Sequence, residues 1–301
     1  MTLQSSAVRG AQVLLKLQTV PHNIRMNAVQ GTFLLCDRLT IPLPFLKSPY
    51  YCHPECGKVG THPPHYLPPE SPIFAECHHG YHQASCMLHG HNITRHNVWA
   101  DHLAAVIRKA WKADAFTTHM LRTEGESRKQ VDIHVEYPDQ PERWATAFDP
   151  TICCPYLRNY VNKPVASVIG DRAQQKHTKH YNACRLNRRE FIPIVVLTGG
   201  GIGSKLEVRG SPDTDRFWRY WDEMWDHARV AARAEGTPDY EISLRKQYAE
   251  AEMHAILARR TTASIQHLAY PSTYDDSSGR RTNPQNYRRT PSNDADEAGP
   301  P

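Results

Sequence analysis

The chain predicts an α/β protein in two parts: a small zinc-ordered module, then a mixed β-sheet flanked by helices. Three observations carry this. A cysteine- and histidine-rich block occupies Tyr51–Trp99. Two short segments of strand character then precede a helix and the most apolar run of the chain, Phe191–Thr198. Two amphipathic helical patterns close the ordered part. A chain of 301 residues, 40% of them apolar and 23 of them proline, allows one large or two smaller domains and a modest core.

Residues 1–50 read as weakly helical and then extended. Ala7, Ala11, Leu14 and Leu15 form one apolar face that Gln18 and Pro21 interrupt. In Leu39–Leu46 the residues before each proline are pushed out of the helical region. The start is too polar for a secretory signal, and no stretch approaches a membrane span.

Residues 51–92 form the expected zinc module. The block Tyr51–Trp99 holds four of the eight cysteines and nine of the eighteen histidines, a composition no hydrophobic core requires. A metal supplies folding energy where side-chain burial cannot. Cys52 and Cys56 are four apart, as are His82 and Cys86, and together they make a Cys₃His zinc site. Cys77 competes for one place, and His78, His79 or His89 for that of His82. Cysteines clustered with histidine also suit a reducing, intracellular compartment.

Residues 93–209 are the expected core. Trp99, Leu103, Val106 and Ala110 recur at helical spacing over Thr94–Lys112. In QVDIHVEY, Val131, Ile133 and Val135 alternate with Asp132 and His134, the mark of a half-buried strand. Pro138–Arg143 is a turn, and RWATAFDPTI a second strand ending at Asp149-Pro150, which makes a hairpin. A helix over 164–184 carries Lys176 and Lys179, and Ile194–Leu197 suits a central strand. Gly199–Gly203 is a tight turn, because Ser204 precedes Lys205 and the glycines are shifted from the phosphate-loop order.

Residues 210–269 supply two helices packing on that core. One places Phe217, Trp221, Met224, Trp225 and Ala228 on a stripe; the other turns Leu244, Tyr248, Met253, Ile256 and Leu257 inward and ends near Arg259-Arg260. Residues 270–301 cannot form a core and are expected to be disordered.

Charged residues fall at specific places on this frame. Asp132 lies in an otherwise apolar strand, Asp149 closes the next, and Glu124 (with Glu126 the alternative) stands upstream. Carboxylates from adjacent strand ends are what Mg²⁺ or Mn²⁺ needs near a phosphodiester, and a lysine, Lys176 or Lys179, stabilises developing negative charge. The competing reading makes both aspartates strand-flanking groups and the lysines a solvated face. Arg95 and His96 open a helix whose free amides favour an anion, and Arg108 and Lys109 are further phosphate contacts. For Arg95 and His96 the alternative is docking of the zinc module on the core, the favoured role for His96. The formal charge of +5 and pI of about 8.7 are compatible with a polyanionic partner.

The stretch HQASCMLHGHNITRHNVWADHLAAV resembles the C-terminal region of non-LTR retrotransposon polyproteins, where a histidine–cysteine pair completes a zinc knuckle and Arg-His-Asn opens a helix. That family places a restriction-like endonuclease of the PD-(D/E)xK kind next. Its motifs resemble Val131-Asp132-Ile133, Asp149-Pro150-Thr151, Lys176 and Lys179 before Tyr181, and Phe191-Ile-Pro193 with the glycine turn. Asp37-Arg38-Leu39 resembles the end of the reverse-transcriptase portion, whose Tyr-x-Asp-Asp box is not in these 301 residues. The resemblance covers roughly residues 30–260. It implies a restriction-endonuclease-like sheet, structural Zn²⁺, catalytic Mg²⁺ or Mn²⁺ on Asp132 and Asp149, a DNA substrate, RNA or a separate reverse transcriptase as further partners, and a nuclear location, with cleavage retained or decayed. The rival expectations are a non-catalytic zinc-containing nucleic-acid-binding protein and a structural or protein-interaction domain.

Overall fold

The computed structural model describes residue 30 and residues 84–85, 90–121, 129–155, 160, 163–198, 201–204 and 215–269. The expectations for residues 1–29, Cys52, Cys56, Cys77, His82, Cys86, Glu124, Glu126 and 270–301 lie outside them. In chain order the elements are α1 (His91–Trp111), β1 (Asp114–Leu121), β2 (Lys129–Glu136), β3 (Ala145–Cys153), α2 (Val165–Leu186), β4 (Arg189–Leu197), β5 (Ile202–Gly203), α3 (Arg216–Ala234) and α4 (Asp239–Ala269). The fold is a mixed α/β arrangement: an open five-stranded sheet in the order β1-β2-β3-β4-β5, with these four helices flanking it.

The pairing is antiparallel from β1 to β3, parallel between β3 and β4, and antiparallel again to β5. The β2–β3 hairpin turns through Tyr137–Arg143, closed by Gln140 N–H to Tyr137 O and Arg143 N–H to Gln140 O. A parallel neighbour cannot be reached by a short turn, so α2 makes the β3-to-β4 crossover. The β3–β4 ladder is long, from Ala145↔Arg189 to Cys153↔Leu197. The β2–β3 ladder is short and stops at Ile133↔Phe148. Beyond that rung the two strands part, and Asp132 and Asp149 are the next residues on each.

The main core lies between the sheet and the helices α1, α3 and α4. Trp99, Leu103 and Ile107 of α1 meet Ile133, Phe148 and Ile194 of the sheet and Phe217, Trp221 and Met253 from the last two helices. Truncating one such aromatic to alanine costs about 3–5 kcal/mol. A second cluster under α2 joins Ala183 and Cys184 to Phe191, Ala147, Val131 and Leu121. At the hairpin end, the Arg143 guanidinium lies 4.3 Å from the Trp111 ring and 4.5 Å from that of Tyr137, and bonds Glu223 at 2.7 Å.

Five details depart from the sequence expectation. β3 does not end at Asp149-Pro150 but runs on to Cys153, because its ladder with β4 continues to Leu197. The buried stripe of α1 runs through Trp99, Leu103, Ile107 and Trp111, with Val106 and Ala110 at its margin. Val131 packs under α2 rather than with Ile133 and Val135, because β2 leaves its ladder there. β1 is an extra strand, masked in the sequence by an inverted pattern: Ala115 is buried while Phe116 is 51% exposed. α4 continues to Ala269, since no proline or glycine stops it before Pro271, and Leu244 faces outward.

Candidate metal centre

The point where β2 and β3 separate brings three side chains together. One ligand atom each from His96, Asp132 and Asp149 lies within 4.8 Å of the others, the cluster able to coordinate a metal ion among the described residues. His96 comes from the first turns of α1, Asp132 from β2 and Asp149 from β3. The His96 Nε2 stands 3.2 Å from Asp132 Oδ2 and 2.9 Å from the carbonyl oxygen of Pro150.

Proline at position 150 has a structural reason to be tolerated. In an extended strand the N–H and C=O of one residue point to the same side. The Pro150 carbonyl meets His96, so the missing N–H also points to the side that the β2 ladder has vacated. No sheet bond is lost there.

α2 closes the other side. Lys176 Nζ donates to Asp149 Oδ1 at 2.9 Å, and His180 Nε2 to Asp149 Oδ2 at 2.9 Å. Residues 176 and 180 are one helical turn apart, so both reach the same carboxylate. The Asp149 side chain is 4% exposed and that of Lys176 28%, whereas Asp132 and His96 are open to solvent at about a quarter of their surface. The centre thus has a buried base and an open rim.

Its electrostatics are uneven. Burial would push the Asp149 carboxyl up, but the hydrogen bonds from His180 and Asp132 and the charge of Lys176 hold it well below the ordinary carboxylate range. Asp132 moves the other way: burial raises it and the adjacent Asp149 adds to this, against the opposing bond from His96. Of the two carboxyls, Asp132 is therefore the one that takes up a proton more readily. Burial disfavours the His96 imidazolium, yet its bond to Asp132 and that carboxylate's charge raise it overall.

The donor set fits a divalent cation. Two carboxylates this close repel each other, and a cation between them relieves that repulsion. Two carboxylates with one imidazole are a donor set able to hold a divalent cation.

The structure distributes the sequence candidates as follows. Asp132, Asp149 and Lys176 come together, and Lys179 is exposed on α2, about 60° further round the helix than Lys176. Glu124 and the zinc ligands Cys52, Cys56, His82 and Cys86 lie outside the described residues. Arg95 is 2% exposed, its guanidinium bonded to Asn92 Oδ1 and Thr261 Oγ1, and burial brings its pKa down to about 10. It faces the interior rather than a phosphate. Arg108, which donates to Ala115 O, and Lys109 are exposed about 20 Å along α1 from His96, too far to serve the same phosphate. His96 joins the cluster, while its expected docking of the zinc module falls on residues outside the described ones, and His180 was given no part in the site. Helical spacing could have found His180, which stands four residues after Lys176.

No protein-family model matches the chain, and no curated protein matches it.

Proposed function

We propose that the chain is a metal-dependent DNA endonuclease of the restriction-like kind and of retrotransposon origin, with Asp132, Asp149 and His96 holding one Mg²⁺ or Mn²⁺. The observation that carries this reading is the meeting of two carboxylates from diverging neighbour strands with a lysine ammonium on the inner one. The element order α1, β1, β2, β3, α2, β4, with its single parallel pair, supports the same reading.

In this reading each residue has a distinct task. A bound ion polarises a phosphoryl oxygen and lowers the pKa of a coordinated water. Asp149, kept ionised by its α2 partners, is the permanent anionic ligand. Asp132, at the open rim, is the second anionic ligand. Lys176 sits at the open rim, where its ammonium offsets negative charge on a scissile phosphate. Zn²⁺ on Cys52, Cys56, His82 and Cys86 orders the module ahead of α1. The exposed Arg108, Lys109 and Lys179 are left for flanking phosphates of DNA, or of RNA handled with a separate reverse transcriptase in the nucleus.

The test is nicking of supercoiled plasmid by the purified full chain with Mg²⁺ or Mn²⁺. Cleavage by the parent, absent in Asp132→Ala and in Asp149→Ala while DNA binding persists, supports the reading. A double alanine variant that cuts as fast as the parent overturns it. One observation favours a second reading, a DNA-binding protein with decayed chemistry: His96, Lys176 and His180 already pair with the two carboxylates. Salt-sensitive DNA binding with no cleavage under any divalent ion would select it.

A further inference from the structure

Asp149 is gripped at both oxygens from one helix, by Lys176 at Oδ1 and by His180 at Oδ2. A carboxylate oxygen only accepts, so the His180 hydrogen is on Nε2. The ring is buried, packed against Phe191 at 5.6 Å between centroids. Its Nδ1 has no hydrogen-bond partner among the described residues. The polar capacity of this interior imidazole is therefore directed at one carboxylate.

A single donor would leave the Asp149 carboxylate free to rotate about its Cβ–Cγ bond. Two donors on different oxygens fix that plane, and the lone pairs they leave unused face the His96 and Asp132 side. Fixing a ligand from outside the coordination shell is how an outer group raises metal affinity. We propose that His180 is a positioning residue, orienting Asp149 toward the divalent cation through Nε2–H; this rests on the metal-centre reading above.

The experiment is Mn²⁺ titration of the zinc-loaded full chain, reading free Mn²⁺ by electron paramagnetic resonance, in the parent, His180→Leu and His180→Gln. Leucine keeps the bulk and removes the donor, whereas glutamine places an amide N–H close to the original Nε2. The leucine variant should bind Mn²⁺ roughly 10- to 100-fold more weakly. The glutamine variant should bind within about threefold of the parent, as expected for a retained donor. Should leucine prevent folding, His180→Asn, whose amide stops short of Asp149, takes its place with the same expected loss. Parent-like affinity in the leucine or asparagine variant, or equal weakening by glutamine in a protein that melts like the parent, overturns the role of His180 alone. A parent that binds no Mn²⁺ overturns the metal centre itself, and His180's role with it.

Discussion

Removing either aspartate should abolish cleavage, but the two losses should have unequal effects on stability. Asp149 is buried and accepts from Lys176 and His180. Taking one partner from a buried pair costs about 3–5 kcal/mol, because the remaining charge is left without a counter-group. Lys176 is 28% exposed and can partly rehydrate, which sets Asp149→Ala at the low end, about 3 kcal/mol. For a domain of this size each kcal/mol moves the midpoint by about 2–4 °C, so the variant should melt about 6–12 °C below the parent. Asp132 is a quarter exposed, its partner His96 equally so, and its carboxyl stands against that of Asp149. Losing a solvent-accessible pair costs about 0–1 kcal/mol, and relief from the neighbouring carboxylate offsets it. Asp132→Ala should therefore melt within about 3 °C of the parent, or above it. The assay is thermal unfolding by circular dichroism without added divalent ions, and without a chelator that would strip zinc. Equal melting of the two variants, or a larger loss for Asp132→Ala, would refute the division into buried base and open rim.

Three further outcomes are expected. Lys176→Ala should lower cleavage by roughly 10²–10³-fold, as loss of one preorganised donor does, while Lys179→Ala costs less than about tenfold; the reverse order in a plasmid assay would reassign the lysine. Without divalent ions, the raised carboxyl of Asp132 stabilises fully below its ordinary 3.8, and that contribution fades as pH climbs through its raised value. The raised His96 imidazole behaves alike, present below 6.5 and lost above its raised value. Asp149, depressed, contributes above 3.8 and loses its contribution only as pH falls through its lowered value. The histidines lowered by burial, His102 and His177, act oppositely but equally in both proteins, so the parent's midpoint should fall relative to that of Asp132→Asn from about pH 5 to about pH 8; a steady relative rise would contradict the assignment. Finally, metal analysis should find one tightly bound Zn²⁺ per chain, lost with Cys86→Ala. Loss with Cys77→Ala instead would reassign the ligand.

How much was legible depended on whether a pattern was local. Alternation in QVDIHVEY gave β2, and the apolar run at Ile194–Leu197 gave β4, because burial imposes those periods directly. β1 was hidden, since its inward residue is a small alanine and its phenylalanine faces outward. Arg95 misled through its charge alone: it stands four residues before Trp99, on the stripe that carries Leu103 four residues further, and is buried like them. Asp132 and Asp149 were legible as carboxylates on neighbouring strands. The participation of His96 was not, because it depends on the angle at which α1 crosses the sheet, and nothing within α1 encodes that angle. His180 was obscured by the adjacent Lys179-x-Tyr181 pattern, although the four-residue step from Lys176 was there to be read.

The unequal ladders on the two sides of β3 have a mechanical consequence. β3 and β4 are zipped over nine registers, whereas β2 holds β3 through three. The β1–β2 ribbon is therefore a hinged leaf against a stiff slab, with the seam between them running through Asp132 and Asp149. A cation seated there would act as a staple across that seam. Its arrival should slow amide exchange chiefly in the leaf, at Gln130–His134, and leave exchange in the doubly paired β4 little changed.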